Sequence, residues 1–317
     1  MALLTRRLLQ SLPLLIGVVT LTFALIHLAP GDPVYLMAGD GGDAAYYDAM
    51  RARYGLDRPL VVQYLGYLQS VASGDFGFSY AYQQPVFRIV VDRLPATLLL
   101  SGTALALASL IGLIGGVAGA GARGSAIDVA VRTATSVLYA TPVFVIGQLM
   151  LLAFAVALPL FPVGGMRTLR ESTARAGSGD VLWHLVLPAV SLTISFVAIV
   201  ARVTRASVIV EQRREYIRAA RARGLSTRAA LVRHAVPNAL LPVVAITGHH
   251  AGLLITGAGL TEAVFGWPGL GQLLLDASTA RDYPLIIAIL LTTSFAVLLA
   301  NIVTDVTYAL LDPRVQV

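Results

Sequence analysis

The chain contains 317 residues, of which 57% are hydrophobic and only 13% are charged, and its formal net charge is +6. This balance excludes an ordinary soluble globular domain and indicates an integral membrane protein. The chain has no cysteine, which excludes disulfides, thiolate metal sites and cysteine nucleophiles.

Six stretches of the sequence lack Asp, Glu and Arg and are each long enough to cross a membrane as a helix. A helix needs about 20 residues to cross ~30 Å of hydrocarbon. We therefore expect an all-α integral membrane protein with six transmembrane helices, organised as a single domain over residues 1–317. The six stretches lie between Arg7 and Asp32, Arg93 and Arg123, Arg132 and Arg167, Asp180 and Arg202, Arg233 and Glu262, and Asp282 and Asp305.

The longest segment outside these stretches covers residues 31–93 and is rich in Gly, Asp and Tyr. It is too short to bury a large core of its own, so we expect it to pack on the membrane domain as an extracytoplasmic cap. All 23 basic residues of the chain are arginines. Because cytoplasmic loops carry an excess of basic residues, their distribution predicts that both termini are cytoplasmic. No nucleic-acid-binding motif accompanies the positive charge.

Glycines at helix-packing spacing and several prolines lie in or near the predicted spans. Such glycine pairs let two helix backbones approach closely, and proline removes a helical hydrogen bond and can bend the helix. We expect the glycines to serve packing. The glycine pairs are Gly112 with Gly116, Gly115 with Gly119 and Gly248 with Gly252, and the prolines are Pro13, Pro95, Pro142 and Pro188.

An arginine-rich stretch, Arg202–Arg233, separates the fourth and fifth predicted spans. It carries nine arginines against the two acids Glu211 and Glu215, so it faces water on the cytoplasmic side. Helix-forming residues precede Gly224, and a second run covers Thr227–His234. We expect two short helices joined by a sharp bend at Gly224, a shape that suits contact with a protein partner.

His249 and His250 lie near the middle of the fifth predicted span. Adjacent helix residues project about 100° apart, so both cannot face lipid without cost. Two interpretations stay open: one histidine lines a transport pathway, or both form hydrogen bonds between helices. Metal binding is less favoured, because adjacent positions diverge and no Glu or further His lies one turn away.

Catalytic motifs are missing from the sequence. A phosphate-binding loop requires a lysine, and the chain has none. The sequence also lacks a nucleophile elbow and a zinc-binding helix motif. An ion-coupled secondary transporter, the alternative from another class, normally uses acids within its spans, yet the predicted spans lack them before Asp305. We therefore predict a protein that is not an enzyme and has no catalytic residue, metal site or cofactor of its own.

Several ordered blocks along the chain resemble permease subunits of binding-protein-dependent ABC importers, in the branch for dipeptides, oligopeptides and nickel. The likeness extends over nearly the whole length and is closest to the first-permease (B-type) subunit. The blocks are Arg6–Gln10, Leu28–Pro33, Tyr54–Pro59, Gly74–Gly77, Arg93–Thr97, Phe265–Gly271, Ala280–Pro284 and Tyr308–Arg314.

The resemblance implies that residues 202–235 form the family's cytoplasmic coupling loop, which docks into a cleft of an ATPase subunit. The family pattern is Glu-Ala-Ala, three residues, then Gly, and Arg218 stands where the pattern has Glu. The residues to which the resemblance gives this role are Glu215, Ala219, Ala220, Gly224 and Leu225.

The resemblance also implies the type I permease fold of ABC importers and a location in the bacterial inner membrane, as a multi-pass protein of the lipid bilayer. The expected partners are a second homologous permease, two ATPase subunits that carry ATP and Mg²⁺, and an extracytoplasmic solute-binding protein. Di- and oligopeptides are the expected cargo, with nickel, glutathione and haem as alternatives. His249 and His250 are the candidates for lining the pathway.

Overall fold

The computed structural model describes residues 2–28, 43–54, 56–168 and 178–311. This part of the chain is almost entirely helical, with one short hairpin of two antiparallel strands. The first half contains α1 (Ala2–Leu28), α2 (Ala44–Tyr54), α3 (Leu60–Ser73), β1 (Phe78–Ser79), β2 (Gln84–Pro85), α4 (Val86–Gly121), α5 (Ala126–Ala140), α6 (Val143–Met150) and a π-helix, πA (Leu151–Ala157). The second half contains α7 (Ser178–Gln212), α8 (Glu215–Ala222), α9 (Thr227–Ala230), a second π-helix, πB (Leu231–Ala235), α10 (Val236–Gly257), α11 (Gly259–Phe265), α12 (Leu270–Thr279) and α13 (Tyr283–Leu311).

Within the described residues, four helical stretches are long and apolar enough to cross a membrane: Val86–Gly121, Gly179–Gln212, Thr227–Thr256 and Tyr283–Leu310. A fifth candidate is the pair α5 and α6–πA, which is bent by 98°. The apolar stretch of α1, Leu9–Leu25, is shorter. The chain is therefore a multi-pass helical protein, and the predicted count of six spans and the predicted cytoplasmic termini stay predictions.

The bend between α5 and α6 falls at Thr141 and Pro142, where the backbone leaves the helical region. Pro142 has no amide hydrogen, so it cannot continue the ladder of α5, and it stands as the N-cap before the first residue of α6, Val143. The third predicted span is therefore two helices at a steep angle rather than one straight helix.

The chain divides into two units, one formed by residues up to 93 with residues 274–295 and the other by residues 94–273 with the residues from 296 onward. In the first unit α3 lies beside α1, with a hydrogen bond of 2.7 Å between the hydroxyls of Thr20 and Tyr64. The hairpin β1–β2 is held by Asp282, whose carboxylate accepts from the Ser79 hydroxyl at 2.5 Å and from the Ala81 amide at 3.2 Å. The predicted cap, residues 31–93, thus contains α2, α3 and the hairpin, and its residues 31–42 lie outside the described part.

The second unit has a core in which Leu100 of α4, Leu192 of α7, Leu254 of α10 and the indole of Trp267 are buried together. Next to this core, helices α4 and α7 approach each other closely. A carbon added as Cβ at Gly116 would lie 2.5 Å from Cβ of Thr204, and one at Gly112 would lie 2.7 Å from Cβ of Val200. Backbone proximity therefore requires glycine at both positions.

The other predicted glycine pairs have different outcomes. A Cβ at Gly248 would lie 2.0 Å from Cγ2 of Thr304, and one at Gly252 would lie 2.9 Å from Cγ1 of Val297, so these glycines allow α10 to pack on α13. Gly115, in contrast, has no described atom within 4 Å of where its Cβ would be. Gly115 therefore packs on no described part of this chain, and a packing role with a partner stays a prediction, whereas its paired Gly119 would place a Cβ 3.4 Å from Cδ of Arg205.

Candidate functional site

The arginine-rich loop contains the predicted bend. Helix α8 begins at Glu215, which is exposed, and the chain reverses at Gly224, whose φ is +94°. The carbonyls of Ala219 and Ala220 accept hydrogen bonds from the amides of Arg223 at 3.1 Å and Leu225 at 3.3 Å. These bonds satisfy carbonyls that have no partner inside the helix. Glycine is favoured at position 224 because its φ lies in the region that other residues rarely adopt.

A small apolar cluster stabilises the bend from one side. Ile217 is only 4% exposed and packs with Ala230, Ala235 and the half-buried Leu225. The opposite face of α8 exposes Ala219 together with arginines. A single buried isoleucine thus orients α8 so that its basic side faces solvent.

The second half of the loop differs from the prediction. The run Thr227–His234 is not a separate short helix, because α9 continues through πB into α10, and residues 227–256 form one helical stretch. Similarly, Arg202 and Arg205 belong to α7, which ends only at Gln212. The arginine-rich composition of residues 202–235 indicated a loop over this whole range. The structure shows helix at both ends of the range, so the part that lies outside the two long helices is shorter.

Tyr216 connects the loop to the helices on both sides. Its hydroxyl donates to Oε2 of Glu211, near the end of α7, at 2.5 Å, and accepts from Nδ2 of Asn238, in the first turn of α10, at 3.1 Å. Burial and the hydrogen bond to Glu211 raise the pKa of Tyr216, so its hydroxyl keeps its proton at neutral pH. Sequence reasoning missed Tyr216, since a tyrosine among arginines has no distinguishing spacing.

A buried ion pair holds α5 against α7 near the loop. Nε and Nη2 of Arg205 donate to the two carboxylate oxygens of Asp128 at 2.6 and 2.9 Å, and the Gly124 amide donates to Oδ2 at 3.0 Å. The Asp128 side chain is almost fully buried. This bidentate geometry, with two guanidinium nitrogens donating to two carboxylate oxygens, gives a strong and directional ion pair. The pair joins residues 77 positions apart, and sequence reasoning did not find it.

The two histidines of α10 have different surroundings. His250 is half-buried, its Nδ1 lies 2.8 Å from the carbonyl of Ile246, and its ring lies edge-on to Phe196 at 5.3 Å. His249 is exposed, on a face of α10 that also exposes Asn238 and Ala245. His250 thus packs against Phe196 of α7, and His249 lies on a face of mixed polarity; the pathway role of either histidine stays a prediction.

No group of three or more His, Asp or Glu side chains within the described ranges is placed to hold a metal ion. Asp128 is instead paired with Arg205 and hydrogen-bonded to the Gly124 amide. Residues 215–235 thus form a bent, basic segment, which we call the knob. Tyr216 attaches the knob to two long apolar helices.

Comparison with known proteins agrees with this arrangement. A family model described as "Binding-protein-dependent transport system inner membrane component" matches residues 108–317. A second model, for the N-terminal part of such membrane components, matches residues 1–101.

Similar proteins extend over almost the entire chain. The di/tripeptide transport system permease protein DppB of Pseudomonas aeruginosa strain UCBPP-PA14 is 38% identical, covering 98% of this chain and 97% of that protein. The dipeptide permease DppB of Escherichia coli K12 is 37% identical, and the oligopeptide permease AppB of Bacillus subtilis strain 168 is 36% identical, each with 98% of this chain covered and 97% and 98% of those proteins.

Solved structures show the same fold. A chain of the inward-facing MetNI methionine ABC transporter aligns with a TM-score of 0.55 and 18% identity, covering 71% of this chain and 96% of that chain. A chain of an amino acid ABC transporter solved with histidines aligns with a TM-score of 0.50 and 17% identity, covering 72% of this chain and 94% of that one. At these identities the comparison supports the architecture of an ABC transporter permease and nothing finer.

Proposed function

Because the chain belongs to the family of binding-protein-dependent transport system inner membrane components, we propose that it forms half of the translocation pathway of an ATP-driven importer for di- and oligopeptides. The chain performs no chemistry itself. ATP and Mg²⁺ are held by two separate ATPase subunits, and an extracytoplasmic binding protein delivers the cargo.

The bent basic knob at residues 215–235 carries this proposal. Its exposed face, with Glu215 and Ala219, and the adjoining half-buried Ala220 form the surface that enters a cleft of the ATPase subunit. The left-handed turn at Gly224 and the buried side chain of Ile217 fix the angle between α8 and α9. A docking element of fixed shape loses little conformational entropy on binding.

Movement of the knob reaches the membrane helices through its attachments. Tyr216 joins α8 to the end of α7 through Glu211 and to the start of α10 through Asn238. When ATP draws the ATPases together, both knobs of the permease pair are displaced. The pair then shifts between inward-open and outward-open states: the cargo is released into the cavity in the outward-open state and leaves for the cytoplasm when the pair returns to the inward-open state.

The pathway runs between this chain and a second homologous permease. His249 lies on an exposed face of a membrane-crossing helix, and an imidazole facing hydrocarbon is costly, so this face lines a hydrated path or meets the partner permease. An imidazole can accept a hydrogen bond from a peptide amino group or donate one to its carboxylate. His250 supports this face from behind.

Affinity purification tests the proposal. A tag is placed on this chain, native membranes are solubilised gently, and every co-purifying protein is identified by mass spectrometry. We expect a second permease, two ATPase subunits and a solute-binding protein, together with short peptides released from that protein on denaturation. Recovery of this chain alone, under conditions that keep another transporter complex of the same membranes intact, would refute the importer. A co-purified binding protein that contained nickel, glutathione or haem instead of peptides would refute the cargo.

A further inference from the structure

The segment that follows α10 is separated from the arginine-rich loop by residues 227–256, a helical stretch long and apolar enough to cross the membrane. It consists of α11, a turn with Gly266 at φ +58°, and the first residues of α12. The turn is attached to α4, since the fully buried indole of Trp267 donates from Nε1 to the carbonyl of Ala96 at 2.9 Å. We call residues 259–272 the outer segment.

A buried carboxylate lies at the centre of the outer segment. Glu262 of α11 is 0% exposed. Its Oε1 accepts from the hydroxyl of Thr97 on α4 at 2.7 Å, and its Oε2 accepts from the amides of Gly271 at 2.7 Å and Gln272 at 3.1 Å. The Thr97 hydroxyl oxygen also accepts from the amide of Leu270 at 2.7 Å. These five residues, the Glu262 cluster, join α4, α11 and α12.

The charge of Glu262 is balanced by hydrogen bonds and by the amide groups at the start of α12, where the helix dipole favours an anion. Burial raises the pKa of Glu262, and the hydrogen bonds from Thr97, Gln272 and Gly271 act in the opposite direction. A buried carboxylate that loses one donor keeps its desolvation penalty without the compensating bond. The cluster therefore favours one conformation of the outer segment over any partly opened one.

The glycines of the outer segment are explained by this packing. A Cβ at Gly269 would lie 2.1 Å from Oε1 of Glu262, and a Cβ at Gly271 would lie 2.1 Å from Cα of Gly259. Neither position can accept a side chain without displacing the carboxylate or the backbone of α11. Residues Gly266–Gly269 thus form the turn before α12, and Gly269 and Gly271 are required by contacts with α11.

We propose that Glu262 is a positioning residue for the response of the transporter to its binding protein, which it serves by holding the outer segment in one conformation against α4. This inference rests on the proposed function. The outer segment lies at the end of α10 opposite the ATPase-docking knob, and that side is where an extracytoplasmic binding protein engages. A surface already held in its bound conformation binds with a smaller loss of entropy. Glu262 is completely buried, so it contacts neither the partner nor the cargo.

The test uses three variants of the complete complex, reconstituted in lipid nanodiscs with its co-purified permease, ATPases and binding protein. Thr97→Val removes the hydroxyl that joins Glu262 to Leu270 while keeping the side-chain shape, and Thr97→Ser restores a hydroxyl. The matched control is Thr261→Val. Thr261 adjoins Glu262 and is 1% exposed, and its hydroxyl has no hydrogen-bond partner among the described residues.

Two quantities are measured for each variant. The first is hydrogen exchange of the amides of residues 270–272, which reports whether the cluster is closed. The second is ATP hydrolysis as a function of binding-protein concentration, from which the half-saturating concentration and the maximal rate are obtained separately. We expect Thr97→Val to accelerate exchange and to raise the half-saturating concentration about tenfold, with the basal and maximal rates close to wild type. Thr97→Ser and Thr261→Val should resemble wild type.

Other outcomes overturn the inference. Faster exchange with an unchanged half-saturating concentration would show that the cluster is structural only. Unchanged exchange in Thr97→Val, or equal effects of Thr97→Val and Thr261→Val, would show that Glu262 does not hold the segment through Thr97. Failure of the binding protein to stimulate even the wild-type complex would refute the proposed function itself, and the inference with it.

Discussion

Replacement of Gly224 tests how much the fixed angle of the ATPase-docking knob matters. The φ of +94° costs an L-residue about 1–2 kcal/mol or more, and most for a β-branched side chain. No described atom lies within 4 Å of where its Cβ would be, so the penalty comes from the backbone and not from a clash. The variant either changes the angle between α8 and α9 or retains the strain. A cost of this size corresponds to about 5- to 30-fold weaker docking of the ATPase.

The assay compares Gly224→Val and Gly224→Ala with the control Gly66→Ala in the reconstituted complex. Gly66 is a glycine in α3 with no described atom within 4 Å of its Cβ position and no positive φ, so it has the same free space without the strain. We expect both Gly224 variants to insert normally, to lose ATPase on washing and to import fewer labelled dipeptides per ATP hydrolysed, with valine worse than alanine. Wild-type retention of the ATPase and a wild-type import ratio in Gly224→Val would refute the reasoning.

Three further predictions concern residues of the same unit. Tyr216→Phe should lower import per ATP severalfold at unchanged ATPase binding, because the knob loses its hydrogen bonds to α7 and α10, and equal ratios in variant and wild type would contradict this. Asp128→Asn should lower the melting temperature in detergent, since it removes the negative charge that pairs with Arg205, and an unchanged melting temperature would disprove this. His249→Leu should reduce dipeptide uptake at normal complex abundance, while His250→Leu should mainly reduce thermal stability; normal uptake in both would remove His249 from the pathway.

Sequence reasoning succeeded where the determinant was local. Runs without charge predicted long apolar helices, and a glycine between helix formers predicted the bend at Gly224, because both depend on residues close together in the chain. It failed where the determinant was contact between distant positions. Glu262 and Thr97 are 165 residues apart. The residues that flank Glu262 in the sequence do not indicate that its carboxylate accepts a hydrogen bond from a side chain of another helix. Likewise Pro142 indicated a bend, but its size of 98° depends on how the two helices pack on their neighbours.

Helix α7 connects most of these features, and its length suggests how the knob acts. Its 35 residues rise about 52 Å, more than the ~30 Å of hydrocarbon, so the helix extends beyond the bilayer. Near its C-terminal end Glu211 binds Tyr216 of the knob, six residues earlier Arg205 binds Asp128, and Thr204 lies against Gly116 of α4. Closely packed helices resist local deformation, so displacement of the knob should move α7 together with α4 and α5. Asp128→Asn would weaken the attachment of α5 to α7 and leave the contact of α4 with α7 unchanged. The rate of import should then fall more steeply than the rate of ATP hydrolysis, because α5 no longer follows the movement of α7.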